Sequence, residues 1–286
     1  MKLTTLLPCL ALSATAVSAF NKIITYADSL TDAGTDYALT GFPPAPYYKG
    51  RFTNGPVWLE HVEKELPGIE IINTANGGST TNNEDVLYQF GTFIVPGLQQ
   101  KILTTYVNGT SDDLYLLYIG YNDLNAIVNP IQYTIYDKHY NIQRITDNVI
   151  KSAELLVQMY GAKNFLIMNV IPFDQFPQVA KKDRKFAKKL ITDYNALLEK
   201  KLPKSLPHAD VKFLDDHAWF VDQLKHPERF GQETSNGPCA WGVGNTTACD
   251  DPEKHFFWDS AHPSKEVHAG LGAWAASQIK SLYHLD

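Results

Sequence analysis

Five short runs rich in β-branched and aromatic residues, at 22–26, 69–73, 114–119, 165–170 and 211–214, are each bounded by turn formers and read as strands. Helical patterns fall between them, at 57–66, 99–107, 140–160 and the basic, amphipathic 181–202. A strand that is apolar nearly throughout has no face left for water and must be covered on both sides. Helices between strands supply that cover while returning the chain to a parallel neighbour. The pattern predicts an α/β fold, a three-layer α/β/α sandwich around a parallel five-stranded sheet. A last helix over roughly 264–282 follows Pro263, with Ser264 placed to cap it. With 44% hydrophobic residues, no repeat and no linker in 286 residues, the chain has apolar surface enough for one large core. A single domain is expected over residues 20–286.

Residues 3–16 are apolar and nearly uncharged, follow Lys2, and run into Val17-Ser18-Ala19, the small-residue pattern of a signal-peptidase site. Cleavage after Ala19 and a secreted, extracellular protein are expected. The apolar stretch is short for a membrane span, which needs about 20 residues, so no stable membrane insertion is expected. Cys9 leaves with the leader. The remaining Cys239 and Cys249 bracket a loop rich in Gly, Asn and Thr, and in an oxidising compartment a disulfide between them is expected. Zinc is the alternative there, but it would need two further ligands at suitable spacing. Asn108-Gly109-Thr110 and Asn245-Thr246-Thr247 match the glycan acceptor pattern and should lie on surface loops. A formal net charge of −6 supplies no electrostatic footprint for nucleic acid, which is not expected as a partner. A monomer is expected.

In an open parallel sheet, ligands gather beyond the carboxyl ends of the strands. Those ends carry Ala27-Asp28-Ser29-Leu30-Thr31-Asp32 after the first strand, Asn76-Gly77-Gly78-Ser79 after the second and Gly120-Tyr121-Asn122-Asp123 after the third. Near the chain end, Asp259-Ser260-Ala261-His262 adds an imidazole with a carboxylate three residues earlier. A serine hydroxyl is a poor nucleophile unless a base takes its proton, and histidine suits that task near neutral pH. The candidates are therefore Ser29 as nucleophile, His262 as base and Asp259 as the acid that orients it. The backbone amides of Ser29 and Gly78 and the side-chain amide of Asn122 are candidate donors to an oxyanion. If residues from Leu30 onward are helical, the helix dipole adds to them. Taken singly, each piece has a plainer reading: Asp28-Ser29 as a turn or helix cap, Gly77-Gly78 as a turn, Asp259 and His262 as a salt bridge or metal pair. His255 and His268 lie near enough in sequence to suggest a metal, but no HExxH or comparable spacing supports one, and neither metal nor cofactor is expected.

Together these segments resemble the SGNH, or GDSL-type, hydrolases. Residues 26–32 resemble the nucleophile segment, 73–80 the glycine segment, 120–123 the G-x-N-D segment and 259–262 the D-x-x-H segment, so the likeness runs from Lys22 to roughly Tyr283. Residues 47–58 also resemble a segment of secreted fungal and plant GDSL esterases, and the secreted fungal acetylesterases are the nearest branch. The resemblance implies a flavodoxin-like sandwich and metal-free ester hydrolysis through an acyl-enzyme. It also implies Ser29, Asp259 and His262 as a triad, with Gly78 and Asn122 in the oxyanion hole. Ala27 departs from the pattern, which has glycine there; alanine fits only where φ is negative and no close backbone contact intervenes.

From that branch the resemblance implies a substrate of short acyl groups, mainly acetyl, on plant cell-wall carbohydrate. A lipase- or phospholipase-type activity on longer acyl chains and an inactive carbohydrate-binding protein are the alternatives. Trp241, Phe256, Phe257 and Trp258 either contact substrate or belong to the core. The same choice applies to Tyr37, Phe42, Tyr47 and Tyr48 in the long loop 35–55. Residues 90–95 read either as a lid or as a buried approach to the helix near Pro96.

Overall fold

The structure, a computed structural model, describes residues 20–285. The expected leader, its cleavage site at Ala19 and Cys9 lie outside them. In chain order the first half comprises β1 Lys22–Ala27, α1 Thr35–Thr40, α2 Trp58–Glu65, β2 Glu70–Asn73, β3 Val86–Phe90, β4 Phe93–Ile94, α3 Leu98–Thr104, β5 Leu114–Tyr118, α4 Tyr121–Val128 and β6 Tyr133–Ile135. There follow α5 Ile142–Tyr160, β7 Asn164–Met168, α6 Arg184–Ser205, β8 Asp210–Leu214, α7 Asp216–Lys225, β9 Glu233–Pro238, β10 His255–Phe257 and α8 Lys265–Tyr283.

The five expected strands form one parallel sheet in the order β2-β1-β5-β7-β8. The three inner strands β1, β5 and β7 are apolar because both faces are covered: all five residues of β5, Leu-Tyr-Leu-Leu-Tyr, are buried, whereas the edge strands β2 and β8 are only partly so. Helices α2 and α8 pack together on one side, and α5 packs with α3 and α6. Gly272 of α8 permits the first of these contacts, since a Cβ there would lie 2.6 Å from the Trp58 carbonyl oxygen. Helix α5 starts where the Asn141 side chain accepts the amides of Gln143 and Arg144, and stops at Gly161 with φ 68°. The chain leaves β1 for β2 on one side and then crosses back to β5 on the other. The carboxyl ends of β1 and β5 therefore flank a point where the winding reverses, the place such sheets use for ligands.

Two boundary details differ from expectation. Helix α6 begins three residues later than the periodicity suggests, after a turn closed by the Asp183 amide on the Ala180 carbonyl. Ser264 does occupy the N-cap position of α8 but makes no capping bond; its hydroxyl instead accepts from Gln232 Nε2 at 2.8 Å. Two small satellites were not foreseen, a three-stranded β4-β3-β6 sheet and a β9-β10 pair. The stretch 90–95 is the tip of the β3-β4 hairpin rather than a separate lid, with Phe90 paired to Phe93. Cys239 and Cys249 are disulfide-bonded. Asn108 is exposed, and Asn245 lies half-buried in the disulfide loop with its amide nitrogen on the Trp241 carbonyl at 2.7 Å.

Candidate active site

At the end of β1 the chain makes a single helical turn, with the Thr31 and Asp32 amides both donating to the Asp28 carbonyl at 3.0 Å. The Asp28 side chain closes the start of the turn by accepting the Leu30 amide at 3.1 Å. Burial pushes this carboxyl up to about 7. No helix continues from Leu30, so the condition set for a helix-dipole contribution at Ser29 is not met. Asp32 Oδ1 takes the Gly34 and Thr35 amides at 2.8 and 2.6 Å, and the chain restarts as α1 after Gly34 at φ 105°. The helix-dipole contribution expected behind Ser29 therefore reduces to the free amides of one turn. Ala27 ends β1 without a positive φ, so alanine is unstrained there and Ser29 is carried into the site regardless.

Four chain segments meet at Ser29. Its Oγ lies 2.8 Å from His262 Nε2, and His262 Nδ1 lies 2.8 and 2.9 Å from the two oxygens of Asp259. All three side chains are buried, Asp259 fully. The Asp259 segment is a tight loop built by its own acid. Asp259 Oδ1 accepts the Ala261 and His262 amides at 2.8 and 2.9 Å, while the Trp258 amide donates to the His262 carbonyl at 2.9 Å. The Phe52 ring packs 5.3 Å from the imidazole.

The glycine segment is tied to the Ser29 turn by polar side chains. Gly77 N donates to Asp32 Oδ2 at 3.1 Å, and Asn76 Nδ2 donates to Asp36 Oδ1 at 2.6 Å. Burial and the neighbouring Asp32 charge push the Asp36 carboxyl up to about 8. Gly78 sits at φ 83°, and a Cβ there would fall 2.3 Å from the Tyr88 ring, so conformation and space both require glycine. The amides of Ser29 and Gly78 have no protein acceptor among the described residues.

Asn122 stands in the first turn of α4, which Gly120 enters at φ 113°. Its amide orientation is set from both ends: Nδ2 donates to the Ser79 carbonyl at 3.0 Å, and Oδ1 accepts from Tyr133 Oη at 2.9 Å. One Nδ2 hydrogen remains for a ligand. Asp123 faces away from Ser29, accepting the Thr81 amide at 2.9 and 3.0 Å and the Thr81 and Tyr140 hydroxyls, and it ties α4 to the glycine segment. Ser29, Gly78, Asn122 and His262 line one pocket with a cavity volume of about 40 Å³. Phe52, Tyr88, Phe90 and Tyr133 form its aromatic wall, and Gln178 reaches it beside Tyr121.

The sequence from Asp28 to Ala275, residues 28–275, matches the GDSL-like lipase/acylhydrolase family. The chain belongs to that family. It is accordingly a carboxylic ester hydrolase. It is similar to a phosphatidylcholine-sterol acyltransferase of Aeromonas hydrophila, 28% identical over 93% of this chain and 92% of that one. It is also similar to a GDSL esterase/lipase of Arabidopsis thaliana, 24% identical over 97% of this chain and 95% of that one. The fold is shared with the acetylxylan esterase Axe2 of Geobacillus stearothermophilus, at TM-score 0.52 and 16% identity over 91% and 94% of the two chains.

The aromatics singled out near the chain end do not line the pocket of this GDSL protein. Phe256, Phe257 and Trp258 are core residues, and Trp241 is 71% exposed outside the pocket. Of the rings that do line it, Phe90 falls in the stretch 90–95 singled out in the sequence, while Tyr88 and Tyr133 were not distinguished beforehand; Tyr133 lies on a strand of three residues, too short for a periodic signal. Of the loop aromatics, Tyr47 is buried with its hydroxyl on Asp259, while Tyr37 is largely exposed. His268 accepts the Trp58 amide through Nδ1, and burial lowers it to about 3. His255 lies with Asp251 and Cys249 in the one metal-like cluster found among the described residues, but that sulfur is already in the disulfide.

Proposed function

We propose that this protein is a serine esterase that removes short acyl groups, chiefly acetyl, from carbohydrate through an acyl-enzyme. The observation that carries the mechanism is the continuous hydrogen-bonded line from Ser29 Oγ through His262 to Asp259. In the first step Ser29 Oγ attacks the ester carbonyl as His262 Nε2 takes its proton. Asp259 holds the imidazole with Nδ1–H inward and stabilises the cation that forms. The carbonyl electrons move onto oxygen, where Ser29 N, Gly78 N and Asn122 Nδ2 are the available donors. Collapse of the intermediate expels the alcohol, which leaves with the proton from His262, and water repeats the sequence to release the acid.

The size of the pocket supports a small acyl group. A cavity of about 40 Å³ lined by Tyr88, Phe90 and Tyr133 is far below the roughly 300–1,000 Å³ of sites that enclose larger ligands. The side-chain amides of the exposed Gln132 and the half-buried Gln178 reach the same pocket and suit a polyhydroxylated alcohol portion. The reading includes secretion, in keeping with the leader pattern and the disulfide.

One observation favours lipid esters instead. Ile94 and Ile135 on the small sheet that carries Phe90 and Tyr133, and Ile131 and Tyr136 next to its strand β6, are exposed and would give the mouth an apolar rim. The Aeromonas relative's name points the same way. A hydrolysis screen separates the two: acetylated xylo- and cello-oligosaccharides against acetyl, octanoyl and palmitoyl esters of one alcohol. The proposal expects kcat/KM to fall steeply beyond short chains, with turnover of the acetylated oligosaccharides. Equal or rising rates toward palmitoyl, with inert oligosaccharides, would transfer the assignment to lipids.

A further inference from the structure

We infer that Tyr47 is a positioning residue for the catalytic acid: its hydroxyl fixes the rotation of the Asp259 carboxylate and thereby the pose of His262. The inference rests on the triad reading above. Tyr47 is buried, and its Oη donates to Asp259 Oδ2 at 2.8 Å from 212 residues away in sequence. The other donors to Asp259 besides the imidazole, the Ala261 and His262 amides, come from Asp259's own loop and reach Oδ1 alone. They would travel with that loop if it shifted. Tyr47 is therefore the donor that references the carboxylate to the rest of the protein, and it holds the oxygen that the loop amides leave free.

The phenol is itself held from several sides. It accepts the Gly244 amide at 2.8 Å, its ring meets Trp258 edge-on at 5.6 Å, and its backbone amide donates to the Pro44 carbonyl. A Gly242 carbonyl lies at 3.4 Å, but the single hydroxyl hydrogen serves the much closer, charged Asp259 oxygen. Gly244 can approach because it sits at φ 80° and lacks a Cβ, which would fall 2.3 Å from the Phe42 ring. The loop carrying Gly244 is closed by the Cys239–Cys249 disulfide and anchored by the Ala240 amide on the Trp258 carbonyl at 2.7 Å, one residue before Asp259. Burial beside a carboxylate raises the phenol well above its ordinary range, so it stays a donor throughout the working pH range.

A buried tyrosine of purely structural value would also lower activity when truncated, so the test must remove the hydroxyl alone and ask whether its effect passes through Asp259. Tyr47→Phe keeps the ring on Trp258. The cycle comprises the mature protein, Tyr47→Phe, Asp259→Ala and the double variant, with kcat and KM for p-nitrophenyl acetate and near-ultraviolet circular dichroism for each. Asp259→Asn replaces Asp259→Ala if the alanine variant does not fold. The expected result is a kcat loss on the order of tenfold for Tyr47→Phe, with KM changed by less than about twofold. In the Asp259→Ala background the same substitution costs less than about twofold, because the group it acts through is gone. A Tyr47→Phe loss below about twofold, or an equal loss with and without the Asp259 carboxylate, overturns the inference and leaves the triad standing. Full activity in Asp259→Ala would sink the triad reading itself, and this inference with it.

Discussion

Replacing Asn122 by Ala and, separately, Tyr133 by Phe divides the proposed oxyanion donor from the bond that aims it. Asn122→Ala removes one of three donors, a loss of about 10²–10³ in kcat, or roughly 2.7–4 kcal/mol of transition-state stabilisation. Tyr133→Phe leaves the amide in place but withdraws the 2.9 Å bond to Asn122 Oδ1, while the 3.0 Å bond from Nδ2 to the Ser79 carbonyl survives. What is lost is the orienting value of one neutral hydrogen bond, about 0.5–1.5 kcal/mol, so kcat should fall roughly two- to tenfold. Both effects belong to the transition state, so KM should hold nearly constant in each case. Initial rates on p-nitrophenyl acetate, normalised to the sites titrated by an organophosphonate, give these numbers free of misfolded protein. The reasoning fails if Asn122→Ala costs less than about tenfold, or if Tyr133→Phe is as damaging as Asn122→Ala.

Three further outcomes are expected. Asp36 titrates near 8 in the folded protein against 3.8 for the free side chain, so its contribution to stability is full at acid pH and is lost as pH rises toward and through 8. Asp36→Asn should therefore gain melting temperature over the wild type at pH 9 relative to the comparison at pH 5; the same difference at both pH values would refute this assignment. Reducing the disulfide, which closes a loop of sequence separation 10, should cost at most about 3 kcal/mol by loop entropy, or roughly 5–10 °C in Tm by calorimetry. No change on complete reduction would show that the loop is held by its hydrogen bonds alone. EDTA should leave hydrolysis unchanged, since the donors placed at the nucleophile are protein hydrogens; a loss restored by added metal would contradict the mechanism.

The sheet could be read from sequence because its inner strands are apolar on both faces and its edge strands are rich in β-branched or aromatic residues, a pattern that survives without knowledge of the fold. The nucleophile, glycine, Asn122 and His262 segments were readable for a related reason: each follows a strand or precedes the last helix, where local turn chemistry shows in residue type. What resisted reading depends on distance along the chain. Tyr47 and Asp259 are 212 residues apart, and nothing near Tyr47 distinguishes it from the other loop rings. Tyr133 lies only 11 residues from Asn122, but on a three-residue strand with too few positions to show a period. No helix runs on from Leu30 because the Asp32 side chain accepts the Gly34 and Thr35 amides, a competition between local bonds that propensity does not resolve. The aromatic run 256–258 belongs to the core because β10 places it under the His262 loop, where the Phe257–Pro263 bridge closes over it.

The most direct measurement is covalent trapping of the nucleophile. The protein is treated with a fluorophosphonate probe, digested and mapped by mass spectrometry, with Ser29→Ala and His262→Ala run alongside. The account predicts one adduct, on Ser29, absent in the first variant and strongly slowed in the second, with kcat for an acetyl ester reduced by about 10⁴–10⁶ in both. An adduct on another residue, or a folded Ser29→Ala protein that still hydrolyses the ester at near wild-type rate, would contradict it.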